Sequence, residues 1–154
     1  MKTKAVVLTL ALSLIGGAMC FAASPQMGTW KLNEGKSKLV KWMGKNHTVV
    51  YEAAGRSVKV IVDGVDAKGK ATHNEWVGMF NGTDNAVTGD PETDARAYNK
   101  VDDHTLNFWQ KKDGKVVGSG KIVVSADGKT RTVTVTAPGR KKKMVRTTAV
   151  YDKV

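Results

Sequence analysis

Apolar and polar residues alternate with a period of two along most of the chain after Gln26. For example, Val58, Val60 and Val62 occupy every second position, and Lys59 and Ile61 stand between them. Successive side chains of a strand point to opposite faces, so this alternation predicts strands with one face toward a core. The same stretch contains 19 Val and 13 Thr but only 3 Leu, and β-branched residues favour strands over helices. The pattern predicts an all-β domain.

Turn dipeptides divide the alternating segments at short intervals. They are Asp63-Gly64, Lys68-Gly69, Asn81-Gly82, Asp113-Gly114 and Asp127-Gly128. Such pairs supply the positive φ angles that tight hairpins need. Between them we predict ten strands, near residues 27–32, 47–53, 57–63, 70–79, 86–89, 95–101, 105–112, 115–125, 129–137 and 143–151. The segment Asn33–Asn46 breaks the rhythm and predicts a loop or a short helix.

Ten consecutive hairpin-connected strands leave two arrangements, a closed barrel or a sandwich. A meander of sequential neighbours closes without crossovers and removes the exposed sheet edges. An immunoglobulin-type sandwich needs Greek-key crossings and usually a Cys…Trp…Cys centre, and neither is visible here. We therefore expect an antiparallel up-and-down β-barrel of about 8–10 strands.

The first residues have the pattern of an export signal. Lys2 and Lys4 precede an apolar run over residues 5–15, and small residues follow up to Ala22. A charged start, an apolar core and a small-residue cleavage site define a secretory signal peptide, and this run is too short to span a bilayer. We predict a signal peptide over residues 1–22 and a periplasmic or secreted protein.

Cleavage after Ala22 removes Cys20 together with the two lysines of the leader. The alternative, a lipid on Cys20, is less favoured because Met19 beside it fits a lipoprotein signal poorly. Of 154 residues, 132 then remain as one domain over 23–154, without cysteine, and the net charge falls from +11 to +9. This composition excludes a multidomain enzyme, a transmembrane protein and a disulfide scaffold.

The start of the first predicted strand carries the motif Gly28-Thr29-Trp30. It resembles the Gly-x-Trp signature of the calycin superfamily, which includes lipocalins and fatty-acid-binding proteins, and the whole mature chain resembles small exported lipocalin-like proteins of bacteria. The resemblance implies that Trp30 plugs the closed end of the barrel, with a basic side chain from near the C-terminus across its indole. Arg146 matches that role, and such a cation–π contact contributes about 0.5–2 kcal/mol.

A small barrel is either filled by its own side chains or holds one small ligand. Gly118 and Gly120 share a strand face, where they form a barrel corner or keep a cavity wall open. His73 and Glu75 also share one face, which is either inward, as a polar pair in the lumen, or solvated surface. The candidate ligand-binding residues are His73, Glu75, Phe108, Gln110, Arg131 and Trp42.

Motifs for catalysis, metals and cofactors are missing from the sequence. There is no Gly-x-Ser-x-Gly elbow, phosphate loop or dinucleotide fingerprint, and the acidic loop Asn81–Asp94 lacks the ligand spacing of a calcium loop. We expect no metal and no cofactor. An isomerase or cyclase that uses His73 and Glu75 as its acid–base pair is the enzyme alternative, and a binding protein is preferred to it.

Positive charge supports a further alternative, a surface for polyanions. The run Arg140-Lys141-Lys142-Lys143 follows a turn, and Lys36, Lys38, Lys41 and Lys45 surround Trp42. Such clusters either bind lipopolysaccharide or anionic lipid, or only keep turns and edges solvated. Nucleic acid is disfavoured because of the predicted export and the low aromatic content of 6%.

These observations favour an exported barrel that binds a small apolar or amphipathic ligand non-covalently, anionic ligands included. The longest break in the strand rhythm is Asn33–Asn46. We therefore expect the ligand to enter beside this segment, with Trp42 and its lysines at the mouth.

Overall fold

Ten antiparallel strands form a barrel in the computed structural model of the protein, which describes residues 24–139, 141 and 143–154. The strands are β1 Gly28–Leu32, β2 Lys45–Ala54, β3 Ser57–Val65, β4 Ala71–Gly78, β5 Asn85–Thr88, β6 Ala95–Lys100, β7 Thr105–Lys112, β8 Lys115–Val124, β9 Thr130–Pro138 and β10 Met144–Lys153. The ten predicted strands are confirmed. The predicted signal peptide, its cleavage site after Ala22 and Cys20 lie outside the described residues.

Each strand pairs with its sequence neighbours, and the first strand also pairs with the last. In that closing pair, Trp30 lies opposite Lys153 and Leu32 opposite Tyr151. Closure leaves no open sheet edge. The up-and-down barrel is confirmed and the sandwich alternative is excluded.

Alternation along the strands decides which side chains fill the barrel. In β3, Val58, Val60 and Val62 are buried, whereas the intervening Lys59 and Ile61 are only partly covered. Aromatic rings complete the core on the neighbouring strands. They are Trp30, Tyr51, Trp76, Tyr98, Phe108 and Tyr151. The interior is therefore made of small β-branched residues and a few large rings.

One end of the barrel is closed by the chain that precedes β1. The Trp30 indole Nε1 donates to the carbonyl oxygen of Gln26 at 3.0 Å. The buried Gln26 side chain in turn donates to the carbonyl oxygen of His104, in the β6–β7 connection, at 2.9 Å. These bonds fix the N-terminal segment across the end of the barrel, next to the fully buried Trp30.

The opposite end carries the segment between β1 and β2. Both predicted alternatives occur there: a 3-10 turn over Glu34–Lys36 is followed by irregular chain. The Asn33 side chain accepts from the backbone N–H of Lys36 at 3.1 Å and donates to Asp152 on β10 at 2.6 Å.

In the described part of the chain, no helix is long and apolar enough to cross a bilayer.

Candidate functional site

A cavity of about 80 Å³ lies inside the barrel. It is lined by five aliphatic residues, four aromatic residues, two arginines and two amides. They are Val49, Val62, Ile122, Val133, Val135, Tyr51, Tyr98, Phe108, Tyr151, Arg96, Arg131, Asn46 and Gln110. One water needs about 10–15 Å³, whereas sites for drug-sized ligands measure about 300–1,000 Å³. The interior therefore has room for a ligand of only a few heavy atoms.

Arg131, at the start of β9, is the central cation of this cavity. It is 3% exposed, and its guanidinium carbon lies 4.8 Å from the ring centre of Tyr51, 5.2 Å from that of Tyr151 and 5.5 Å from that of Trp30. Aromatic faces attract a cation within about 6 Å. Three rings therefore hold the guanidinium in place beside the cavity.

Arg131 has unused hydrogen-bonding capacity. Its Nε and Nη1 atoms are buried without a hydrogen-bond partner among the described residues, and none of the ion pairs within that part of the chain includes Arg131. Guanidinium groups keep their charge in proteins, and a buried charge is normally paired. Arg131 thus keeps a full positive charge and two unpaired donors, and the residue lines the cavity.

Arg96, the second arginine of the cavity, has protein partners. It is 4% exposed, its Nη2 donates to the Asn74 side-chain oxygen at 3.3 Å, and the same atom lies 3.9 Å from a carboxylate oxygen of Asp90. The Thr93 hydroxyl donates to that carboxylate at 2.7 Å. The acidic loop Asn81–Asp94 therefore supplies a counter-ion to Arg96 through Asp90, whereas Arg131 has none among the described residues.

The phenols around Arg131 stay neutral. Burial raises the pKa of the Tyr51 and Tyr151 hydroxyls, although the charge of Arg131 opposes this rise. Both are therefore protonated at neutral pH, and the Tyr151 hydroxyl donates to the Asn46 carbonyl oxygen at 3.2 Å. Since neither phenol provides a negative charge, no residue in the described part of the chain acts as a counter-ion to Arg131.

Three of the predicted ligand-binding residues meet at this cavity, namely Phe108, Gln110 and Arg131. The two glycines of β8 explain how the side chains of β7 are accommodated. A Cβ added to Gly118 would lie 3.0 Å from the Gln110 amide oxygen, and one added to Gly120 would lie 2.6 Å from two carbons of the Phe108 ring. The glycines therefore make room, but the Gln110 and Phe108 side chains occupy it.

Of the two alternatives for the face of His73 and Glu75, the structure shows the solvated one, so their assignment as ligand-binding residues of the lumen is wrong. Both lie on the outer wall, where their side chains are 58% and 36% exposed, because β4 turns Trp76 inward. His73 Nδ1 lies 2.7 Å from Asp63 and its Nε2 3.5 Å from Glu75. Lys59 Nζ lies 3.0 Å from Glu75.

His73 and Glu75, the acid–base pair of the isomerase or cyclase alternative, do not lie in an enclosed pocket, because both are on the outer wall. Asp63 and, secondarily, Glu75 raise the pKa of His73, as a hydrogen bond to a neighbouring anion does. Across the described residues, no group of three or more His, Cys, Asp or Glu side chains is arranged to hold a metal ion.

The assignment of Arg146 to the Trp30 indole is also wrong. Arg146 is exposed on the outer wall, since it lies five residues from the inward-facing Tyr151 and so on the opposite face of β10. The cations at the indole are Arg131 and Lys153, whose Nζ lies 5.0 Å from the ring centre. Lys153, and not Arg146, is the basic side chain of β10 that lies over the Trp30 indole.

Gly28 is needed where the predicted motif places it. Its φ is +110°, a region that favours glycine, and an added Cβ would lie 2.9 Å from the Lys153 side chain. The glycine therefore lets Lys153 pass β1 on its way to the Trp30 ring.

Trp42 lies at the barrel end opposite the Trp30 plug, against the β9–β10 turn. Its ring would be 2.9 Å from a Cβ added to Gly139, and it does not line the interior cavity. The predicted polyanion-binding set is Arg140, Lys141, Lys142 and Lys143. The second and fourth of these are exposed, whereas Arg140 and Lys142 lie outside the described residues. Binding of polyanions stays a prediction.

Comparisons with known proteins add two solved structures. No protein-family model matches the chain, and no curated protein matches it. A redesigned β-barrel, mFAP1, bound to DFHBI is similar at 12% identity with a TM-score of 0.48, over 86% of this chain and 98% of that one. EF1p2_mFAP2b bound to DFHBI is similar at 10% identity with a TM-score of 0.47, over 86% and 97%. The barrel fold follows from the chain's own strand pairing. The similarity to these two structures is too low to assign their ligand to this chain.

Proposed function

We propose that the barrel binds a small amphipathic anion, such as a short-chain carboxylate, non-covalently in its interior. The observation that carries this proposal is Arg131, a buried cation at the cavity wall with two nitrogen atoms that no described protein group satisfies. Leaving a buried donor unsatisfied costs about 1–3 kcal/mol, and more for a charged group. A bound anion removes that cost.

A carboxylate matches the chemistry of this wall. Arginine binds carboxylates through parallel charge-assisted hydrogen bonds, about twice as strong as neutral ones. The remainder of the ligand would contact Val133, Val135 and the Phe108 ring, which line the same cavity. The site therefore favours a ligand with one negatively charged end and one short apolar end.

The volume sets an upper limit on ligand size. At about 80 Å³, the cavity is smaller than the roughly 150 Å³ space that takes a benzene molecule in a well-studied engineered core. Long-chain fatty acids, retinoids and haem are therefore not the ligands we propose. Asn46, at the end of the Asn33–Asn46 segment, lines the cavity, which supports passage of the ligand beside that segment.

Calorimetric titration with butyrate, and with the uncharged isostere butyramide, tests the proposal. We expect the wild-type protein to bind butyrate, and Arg131→Met to weaken that binding by about 10- to 100-fold, since charge-assisted hydrogen bonds contribute about 1.5–3 kcal/mol. Arg146→Met, which removes an exposed arginine from the outer wall, is the matched control and should bind as the wild type does. Equal binding of the amide, or full affinity in Arg131→Met, would contradict the proposal.

Stability of the same variants separates binding from a purely structural role of Arg131. Replacing a buried charge by an apolar residue of similar volume is often neutral or stabilising. We therefore expect Arg131→Met without ligand to unfold at the same urea concentration as wild type or at a higher one. A strong loss of stability, combined with no butyrate binding by the wild type, would assign Arg131 to barrel closure alone. Export through the predicted leader remains a separate proposal.

A further inference from the structure

A second recess lies on the outside of the barrel, where Phe108 is the one lining residue that it shares with the interior cavity. It measures about 420 Å³ and crosses the outer faces of β7 to β10. Strand register builds it: Trp109 lies opposite Ser119, Ser119 opposite Thr136, and Thr136 opposite Arg146. Cross-strand partners point to the same face of a sheet, so these four side chains form one continuous outward row.

The row has large side chains at its two ends and small ones between them. Strands are spaced about 4.8 Å apart, which places the backbones of Trp109 and Arg146 about 14 Å from each other. Ser119, Gly120 and Thr136 lie between, where little side-chain volume covers the sheet. A groove therefore runs between an indole and a guanidinium across a floor that is rich in hydroxyl groups.

The groove is positively charged. Lys121 and Arg146 line it, both are exposed, and no acidic residue is among its lining residues. Neither cation forms an ion pair or a side-chain hydrogen bond with any residue that the structure describes. Other lysines of the outer wall, such as Lys59 and Lys100, have carboxylate partners. The groove therefore contains two cations that are available to bind an external anion.

We propose that this groove binds a short acidic oligosaccharide built of hexuronate units. The apolar C–H face of a sugar ring packs on an indole by dispersion. Hydroxyl and amide groups such as those of Thr134 and Asn107 match the hydroxyls of a sugar. Carboxylates complement Lys121 and Arg146.

The same chemistry argues against single-stranded nucleic acid as the occupant. Channels for single strands stack successive bases on several aromatic side chains. In the lining of this groove Trp109 is the one outward-facing aromatic side chain, because Phe108 points into the barrel. One outward-facing ring together with two cations and several hydroxyl groups fits a sugar acid better than a run of bases. Oligothymidine is therefore a competitor in the test.

Titration with trigalacturonate, followed by calorimetry and by tryptophan fluorescence, tests the proposal, with neutral maltotriose as the uncharged probe. We expect saturable binding of trigalacturonate alone. Arg146→Gln should weaken it about tenfold, as loss of one well-placed charge partner does. Trp109→Ala should weaken it further, with Trp109→Phe retaining part of the affinity. Arg56→Gln, the same substitution at an exposed turn, is the matched control and should leave binding unchanged.

Three results would overturn the proposal: equal loss in Arg56→Gln and Arg146→Gln, equal binding of maltotriose, or tighter binding of oligothymidine than of trigalacturonate. Arg131→Met separates this groove from the interior site. We expect that variant to bind trigalacturonate as the wild type does, so failure of one site is distinguishable from failure of the other. Both glutamine substitutions replace exposed side chains, and unfolding of either variant in urea should match that of the wild type.

Discussion

Substituting Gly120 by alanine tests how β8 and its neighbours are packed. A Cβ at this position would lie 2.6 Å from two ring carbons of Phe108 and closer still to the Thr134 carbonyl oxygen. The ring can turn aside within the cavity. The carbonyl belongs to the backbone of β9, which pairs with β8 along this stretch, so it can retreat only if the strand pairing is distorted.

The expected cost follows from these two contacts. Overpacking a well-filled core costs typically about 1–3 kcal/mol, and we place Gly120→Ala near the upper limit because one of its contacts is with backbone. For a domain of this size, about 3 kcal/mol corresponds to a fall in Tm of about 10 °C. Gly118→Ala is the matched control, since its Cβ would lie 3.0 Å from the mobile end of Gln110. We expect it to cost less than about 1 kcal/mol.

Urea unfolding followed by tryptophan fluorescence measures both variants. The reasoning is refuted if Gly120→Ala costs no more than Gly118→Ala. Adding Phe108→Leu to Gly120→Ala should restore only part of the lost stability, because the contact with Thr134 remains. Complete recovery in that double variant would show that the ring, and not the backbone, sets the cost.

Two further predictions concern the outer wall and the core. Asp63 and then Glu75 raise the pKa of His73, so His73 stabilises the fold below its ordinary pKa of about 6.5 and loses that effect as the pH rises through the folded value. His73→Gln should therefore lower Tm more at about pH 5.5 than at about pH 9; an equal shift at both would refute this. Trp76→Phe removes the indole that donates to the Arg96 carbonyl oxygen at 2.7 Å. Urea unfolding should show a cost of about 1–3 kcal/mol, and an unchanged midpoint would show that the carbonyl finds another donor.

The number of strands and the closed barrel could be predicted because their signals are local. Alternation along Ser57–Val65, and turn pairs such as Asp127-Gly128, depend only on neighbouring residues. The meander then leaves few topologies, since sequential hairpins close without crossovers. The irregular Asn33–Asn46 segment lacked such a period, and its 3-10 turn depends on a side-chain cap.

The orientation of β4 was not predictable from its pattern alone. Both faces of this strand carry large apolar residues, so alternation predicts a buried face without saying which one it is. The fold buries Trp76 and leaves Val77 47% and Met79 45% exposed. A tryptophan buries more area than a valine or a methionine, and this difference in size was the signal that could have placed His73 and Glu75 outside.

The electrostatics of the site depend on contacts between distant segments. Sequence alone places Arg131 on a face with Val133, but its approach to the Trp30 indole follows from the pairing of β1 with β10 and of β10 with β9. The counter-ion of Arg96 likewise depends on how the loop before β6 folds back. Such register and loop contacts leave no periodic trace in the sequence.

The guanidinium of Arg131 can be observed directly by nitrogen-15 NMR of arginine side chains while butyrate is added to the full chain. Arg131 and Arg96 are both buried, so we expect two slowly exchanging Nε–H signals. Butyrate should shift the Arg131 signal downfield until it saturates, while the signal of exposed Arg146 stays in place. Loss of the shifting signal in Arg131→Met would assign it. An Arg131 signal that ignores butyrate, or shifts shared equally by the exposed arginines, would contradict an anion site inside the barrel.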